Sequence, residues 1–234
     1  FDNVISVGAT DMADNFATWA THSYYIDVMA PGQAVYTTNN DNGYQRGWGT
    51  SYSTPQVAGA AALVRTRFPD LSARQVMEQI RVSSDDIYDV GSNMDYYGRL
   101  GKGRLNVEQA VSGINTPSVR QVEYQYLTSF DQYLFSGDTL QISSAFKNYL
   151  GPAPKVNVTL SSPIENVHVD KESYYIGNLG TGDEAFNEDE PFIVRLGDEV
   201  VPGERLVFRL DFEGEDYSDF QHFTMITTPE YFPV

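Results

Sequence analysis

The stretch Gly49-Thr50-Ser51-Tyr52-Ser53-Thr54-Pro55-Gln56-Val57-Ala58-Gly59 decides how the first half of this chain folds. Within residues 54–67, the side chains from Val57 to Val64 are small and apolar almost without interruption. This pattern predicts a helix that is apolar on all sides, and such a helix is normally buried inside a domain. Pro55 fits the first turn of this helix, where a missing backbone N–H costs little.

Ser51 lies where the loop gives way to this helix, and it is the candidate nucleophile. A serine at such a junction exposes its Oγ, and the free N–H groups of the first helical turn point toward it. These groups, together with the helix dipole, can stabilise an oxyanion that develops on a substrate. Gly49 lets the backbone approach a substrate closely, so Gly49 and Thr50 are candidate substrate-binding residues. The alternative is that Ser51 only caps the helix.

The sequence around this stretch predicts further elements of an α/β domain. Ser72 followed by Gln75 forms a capping box for a second helix that runs to about Val82. The other predicted elements are two buried parallel strands at 4–8 and 26–30, a loop and hairpin within 37–49, and a glycine turn, short strand and final helix within 98–111. The final helix is predicted to start near Val107.

The second half of the chain changes to an all-β pattern after a linker at residues 112–118. Apolar side chains alternate with more polar ones at 140–146, 156–160 and 206–212, and further strands are predicted near 119–126, 166–169, 173–179, 192–196 and 220–227. About eight short strands at this spacing predict an immunoglobulin-like sandwich. We therefore predict two domains, at residues 1–114 and 118–234.

The formal net charge of −17 excludes some partners. Residues 1–116 carry 12 acidic and 8 basic side chains, a net of −4, whereas residues 117–234 carry 20 and 7, a net of −13. Such a surface repels nucleic acid and anionic lipid, so we expect neither as a partner. The chain has no cysteine, hence no disulfide and no thiolate metal site. No apolar run reaches transmembrane length and no signal peptide is visible.

A cluster of carboxylates between two predicted strands allows two interpretations. Its members are Asp183, Glu184, Glu188, Asp189 and Glu190. Oxygen ligands of this kind can hold a structural calcium ion. They can equally form a solvated loop, and the spacing does not match an EF-hand.

The stretch at 49–59 resembles the nucleophile motif of the subtilisin-like (S8) serine peptidases, Gly-Thr-Ser-x-[Ala/Ser]-x-Pro-x-Val-[Ala/Ser]-Gly, and every fixed position matches. Residues 4–9, 27–32 and 97–107 resemble other segments of that family in the same order and spacing. The resemblance covers roughly residues 1–112. It implies the later part of a doubly wound parallel sheet around a buried nucleophile helix. Tyr52 and Gln56 stand where Met and His are frequent in the family.

The resemblance implies that Ser51 Oγ attacks the scissile carbonyl and that the Ser51 N–H helps to hold the oxyanion. In this family the catalytic Asp and His, and the Asn of the oxyanion hole, lie N-terminal to the nucleophile, in contexts that this sequence lacks. We therefore expect a fragment of a serine endopeptidase that is inactive alone. Its expected partners are a protein or peptide substrate and the N-terminal portion of the same peptidase domain. No cofactor is required.

The start at Phe1 rather than Met suggests a processed or truncated product, and the parent protein is expected to be secreted or at the cell surface, in a bacterium. The resemblance implies that the pocket for the substrate residue before the cleaved bond is built largely by residues upstream of Phe1.

The chain's three histidines do not replace the missing catalytic one. His22 is expected to be a surface residue in a polar loop, without the Gly-Thr that follows the catalytic histidine of the family. His168 and His222 fall in the predicted sandwich. Asp27, flanked by apolar residues, is expected to be structural through hydrogen bonds to nearby backbone.

Two other functions compete with the peptidase. The chain could belong to a non-catalytic binding or scaffold protein built on a degenerate subtilase, with the function in the second domain. It could also be an esterase that uses Ser51, but the Gly-x-Ser-x-Gly elbow of those enzymes is absent.

Overall fold

The computed structural model describes residues 4–129 and 133–229, and the chain divides into two units, Phe1–Thr116 and Pro117–Val234. Phe1, on which the expectation of processing rests, lies outside the described residues. Among the described residues, no helix is both long enough and apolar enough to cross a membrane. The elements of the first unit are β1 (Val7–Thr10), β2 (Val28–Pro31), β3 (Val35–Thr38), β4 (Tyr44–Gly47), α1 (Thr50–Arg67), α2 (Ala73–Val82), a 3-10 turn (Asn93–Tyr96) and α3 (Val107–Ser112).

The parallel pair β1 and β2 confirms the two predicted buried strands, but both begin later than predicted. The register runs from Val7 opposite Val28 to Thr10 opposite Pro31. Before this point the Asp27 carboxylate accepts the N–H of Ser6 at 2.7 Å, so the side chain takes a donor that the ladder would otherwise use. The strand pairing therefore starts one residue after each of these two positions.

Helix α1 packs against β2 through one face only, which corrects the prediction of a helix buried on all sides. Ser53, Val57, Ala60 and Val64 are buried. The opposite side is exposed in the described structure, including Ala58, Gly59, Ala62 and Leu63. The reason is that the described residues of this unit form only two paired parallel strands, and a doubly wound sheet needs more of them to cover such a helix.

The remaining helices complete the apolar cluster beneath α1. Helix α2 begins after Ser72, and the predicted capping box with Gln75 is confirmed in both directions. Helix α3 begins at the predicted Val107, with the Asn106 side chain accepting the N–H of Gln109. The short strand predicted before α3 is present only as isolated bridges of Arg104 with Met29 and Asp85. The cluster consists of Val28, Ala30, Val57, Val64, Leu71, Val76, Ile80 and Ala110.

The hairpin predicted within residues 37–49 is confirmed by the antiparallel pair β3 and β4. The hairpin leads directly into α1. The tyrosine rings of Tyr36 and Tyr44 stack on its exposed face with centroids 5.2 Å apart.

The second unit consists of two antiparallel sheets that share one apolar core. Its strands are β5 (Val119–Leu127), β6 (Thr139–Asn148), β7 (Ala153–Ser161), β8 (Val167–Lys171), β9 (Ser173–Leu179), β10 (Glu184–Phe186), β11 (Phe192–Leu196), β12 (Arg205–Gly214) and β13 (Tyr217–Ile226). One sheet has the order β10-β6-β11-β8 with β5 also paired to β6, and the other has the order β13-β12-β7-β9.

The predicted alternation is confirmed in the three strands where it is most regular. Leu140, Ile142 and Phe146 on β6 are fully buried, as are the apolar positions of β7 and β12. Side chains from both sheets belong to one cluster. Strand β10 was not predicted, because its three residues, Glu-Ala-Phe, carry no apolar alternation.

Candidate active site

Ser51 is the second residue of α1 and its side chain is exposed. The helix begins at Thr50, four residues earlier than predicted, and its N-cap is Gly49 at φ 145°. Only glycine adopts this backbone region without strain. Ser51 is therefore not the capping residue, which removes the purely structural alternative for its hydroxyl.

The polar atoms of Ser51 are available at the start of the helix. Within the described part of the chain, neither its hydroxyl nor its N–H makes a hydrogen bond. The N–H groups of a first helical turn carry a partial positive charge and have no partner inside the helix. Such N–H groups can bind an oxyanion, and the exposed hydroxyl beside them can supply the nucleophilic oxygen.

Pro55 lies in the second turn of α1 rather than in the first, which corrects the sequence prediction. Since proline has no N–H, the carbonyl of Ser51 receives no hydrogen bond from the residue four positions later. The helix start also has no side-chain cap. The first turn of α1 is therefore weakly held by its own helix.

Contacts with the end of β2 hold this turn instead. Gly49 N–H donates to Gly32 O at 2.9 Å, and Ser53 Oγ donates to Ala30 O at 3.0 Å. Gln56 Nε2 donates to Pro31 O at 2.7 Å. Neither Ser53 nor Gln56 has a role that the local sequence predicts. The sequence shows that Gln56 stands where His is frequent in the family, but it does not show that this side chain binds the end of β2.

The approach is close because Gly32 has no side chain. A Cβ at Gly32 would lie 2.6 Å from both the Ala9 Cβ and the Ser53 Oγ, and 3.1 Å from the Gly49 carbonyl oxygen. All of these distances are shorter than van der Waals contact.

No described histidine makes a hydrogen bond with Ser51. His22 is partly buried, not a surface residue as predicted, since its ring packs against Tyr96 and Phe16 with centroids 4.9 Å and 5.6 Å apart. His168 and His222 lie on β8 and β13 of the second unit. Asp27 holds the backbone N–H of Ser6, which confirms its predicted structural role.

The carboxylates at 183–190 are exposed and several have partners in the protein. Glu184 contacts Lys147 at 2.8 Å, and Glu190 contacts Lys171 at 3.4 Å. Asp183 accepts the N–H of Gly180 at 2.8 Å. Over residues 4–129 and 133–229, no group of three or more His, Cys, Asp or Glu side chains is arranged to hold a metal ion. Both interpretations of this loop, as a calcium site and as a solvated surface, stay predictions.

Comparison with known proteins agrees with this geometry. Residues 1–106 match the model of the subtilase family, peptidase family S8. The chain is 42% identical over 110 residues to subtilisin DY of Bacillus licheniformis, covering 47% of this chain and 38% of that protein. It is 35% identical over 111 residues to thermitase of Thermoactinomyces vulgaris, covering 47% of this chain and 37% of that protein.

Among solved structures, the patellamide maturation protease PatA is 28% identical and covers 47% of this chain and 42% of that chain. Its TM-score of 0.40 is too low to support a further conclusion. The chain thus spans well under half of the length of these curated relatives. Over residues 1–106, this chain is therefore similar to the subtilase family.

Proposed function

We propose that this chain carries the nucleophile of a subtilisin-like serine endopeptidase, and that the nucleophile is Ser51. The observation that supports this most is an exposed hydroxyl at the second position of a helix, beside its own backbone N–H, which makes no hydrogen bond with the described residues. Gly49 and Thr50, which precede it, would line the path of the substrate backbone. The matched family is one of peptidases, and the assignment of the residue is our own.

The proposed reaction forms an ester on Ser51. The Oγ attacks the carbonyl carbon of the peptide bond and its proton passes to a histidine from outside this chain. The C–N bond then breaks as the same proton moves to the leaving amine. Water hydrolyses the ester, which releases the new carboxyl terminus and restores the hydroxyl. The Ser51 N–H would stabilise the oxyanion in both steps. No cofactor takes part, and calcium would serve only as a structural ion.

The site would be completed by the N-terminal portion of the same peptidase domain. The exposed face of α1, with Ala58, Gly59, Ala62 and Leu63, supports this, because apolar side chains on a central helix are normally covered. Matched relatives are more than twice as long as the matching segment. The missing portion would bring the catalytic Asp and His and the oxyanion Asn.

For the second unit we propose an immunoglobulin-like sandwich that stabilises or positions the peptidase. The support is a pair of antiparallel sheets over a common core. The strongly acidic character of this unit disfavours binding to nucleic acid or to a membrane. We propose that the complete protein binds a protein or peptide instead. We propose that the parent protein acts outside the cell or at its surface.

A fluorophosphonate probe tests the nucleophile directly. The Ser51 Oγ would attack phosphorus, fluoride would leave, and the hydroxyl proton would pass to the histidine. We expect peptide mapping to place the adduct on Ser51 in the native protein that contains the completed site. Ser51→Ala should abolish labelling, while Ser112→Ala, at another exposed helical serine, should not.

The isolated 234-residue chain should show neither labelling nor peptide hydrolysis. Hydrolysis by this chain alone that Ser51→Ala removes would contradict the proposed completion by another segment. An unlabelled Ser51 in the completed protein would favour the scaffold function.

A further inference from the structure

Three consecutive backbone carbonyls at the end of β2 each accept a hydrogen bond from the start of α1. The acceptors are the carbonyls of residues 30, 31 and 32, and the donors are Ser53 Oγ at 3.0 Å, Gln56 Nε2 at 2.7 Å and Gly49 N at 2.9 Å. We call these three hydrogen bonds the strand clamp. Two of its donors are side chains that flank Ser51 on its C-terminal side.

Gln56 makes the more extensive of the two side-chain contacts. Its Nε2 also donates to Tyr52 O at 2.8 Å. One amide group therefore ties the end of β2 to the residue that directly follows Ser51. Ser53 is completely buried, and its hydroxyl donates its hydrogen to the carbonyl of Ala30.

The strand clamp compensates for two local weaknesses of the helix start. Pro55 removes the hydrogen bond that the Ser51 carbonyl would otherwise accept, and no side chain caps the helix. A helix end without such bonds frays. The hydroxyl and the amide of Ser51 are thus kept in place relative to the sheet mainly by contacts from residues 49–56 to β2.

We propose that Ser53 and Gln56 are positioning residues for Ser51, which hold its Oγ and its N–H at fixed places above the end of the sheet. This inference rests on the proposed function of Ser51 as nucleophile. Neither side chain needs to contact the substrate in this role. Loss of the clamp would move the reacting groups while the rest of the domain stays folded.

The expected effect follows from the sensitivity of catalysis to position. A displacement of about 1 Å in a reacting group can lower the rate by roughly 100-fold. Gln56→Met keeps the length of the side chain but removes its donors, and Gln56→Glu replaces them with an acceptor that faces two carbonyl oxygens. Each variant should lower kcat at least about tenfold with little change in KM. Ser53→Ala should act in the same direction.

The control is Thr66→Val, in the same helix but at its far end. Thr66 Oγ1 donates to Ala62 O at 2.8 Å, so this variant also loses one side-chain hydrogen bond to a backbone carbonyl. It leaves the clamp intact and should keep both kcat and the labelling rate of Ser51.

Two measurements separate this inference from the proposed function. The first is amide hydrogen exchange of residues 52–57 in the 234-residue chain, which needs no activity. Gln56→Met and Ser53→Ala should speed amide exchange at these residues by about fivefold, which corresponds to the loss of one net hydrogen bond, while exchange in α2 stays unchanged. The second is the rate of fluorophosphonate labelling, with kcat and KM, in the completed protein.

Faster exchange at 52–57 together with a lower kcat at constant KM supports the inference. Unchanged exchange in both clamp variants overturns it, as does a labelling rate equal to that of Thr66→Val. If wild-type Ser51 is not labelled, the nucleophile proposal fails, and the exchange data alone decide whether the clamp holds the helix start. If Gln56→Met does not fold, Ser53→Ala gives the same decision.

Discussion

Replacing glycine by alanine should have opposite effects on stability at Gly32, which is closely packed, and at Gly59, which is open. At Gly32 the added Cβ would meet Ala9, Ser53 and the backbone of Gly49 at 2.6–3.1 Å. At Gly59, on the exposed side of α1, it would meet nothing within 4 Å. We predict that Gly32→Ala destabilises the first unit and that Gly59→Ala stabilises it.

The magnitudes follow from these surroundings. Ser53 cannot rotate away without losing its bond to Ala30, and the Gly49 carbonyl belongs to the backbone, so the Gly32 methyl group forces a shift. Overpacking of this kind costs about 1–3 kcal/mol. In a helix, alanine is favoured over glycine by about 0.8–1 kcal/mol. The two variants should therefore differ by about 3 kcal/mol in the free energy of unfolding.

Urea unfolding of the full chain, followed by circular dichroism at 222 nm, measures this difference. All α-helices of the described residues lie in the first unit, so this signal reports mainly on that unit. With a slope of about 2 kcal/mol per M, the midpoints should differ by roughly 1.5 M. The fluorescence of Trp19 and Trp48, the chain's two tryptophans, gives a second probe of the same unit.

A Gly32→Ala midpoint equal to that of the wild type would refute the close approach of β2 and α1. A Gly59→Ala midpoint below that of the wild type would refute the open face of α1 in this chain.

Three further predictions concern the second unit. Asn148→Ala should destabilise it by about 3 kcal/mol, because this buried side-chain amide hydrogen-bonds three backbone carbonyls and two backbone N–H groups. The control Asn178→Ala removes one exposed hydrogen bond and should cost under about 1 kcal/mol. Equal losses of stability in calorimetric melting of the two variants would contradict the network around Asn148. Burial, with Arg209 nearby, lowers the pKa of His222 from 6.5 to about 4. The contribution of His222 to stability is therefore complete above pH 6.5 and is lost as the pH falls toward 4, by ~2 kcal/mol at pH 5 relative to pH 8. His222→Gln should remove this part of the pH dependence of urea unfolding. Parallel plots of unfolding free energy against pH for the wild type and the variant would disprove it. Calcium should leave the melting temperature unchanged, because carboxylates at 183–190 already have partners. A calcium-dependent rise in the melting temperature that charge-neutralising variants of this loop abolish would establish a calcium site.

The strands of the second unit were predictable because their pattern is local. Residues on β6, β7 and β12 alternate between core and surface, and the side-chain period of a strand is two. The sequence does not predict strand β10, because two of its three side chains are exposed. Its residue types therefore do not alternate between apolar and polar.

The first unit was predicted less completely. The capping box at Ser72 and the start of α3 are set by neighbouring residues, and both predictions are confirmed. The sequence predicts too late a start for α1, because proline favours the first turn of a helix and Pro55 lies in the second. The strands β1 and β2 began later than expected, because the Asp27 side chain takes a backbone N–H from the ladder.

The amino-acid sequence by itself determined which serine is the candidate nucleophile, where most helices and strands form, and that the second half is β-rich. These properties depend on residue types within a few positions of one another. Only the tertiary structure decided that Ser51 lies inside the helix and is exposed, that one face of α1 is uncovered, and that Ser53 and Gln56 bind the end of β2. The physical reason is that hydrogen bonds between segments more than twenty residues apart depend on the path of the chain, which no local pattern records.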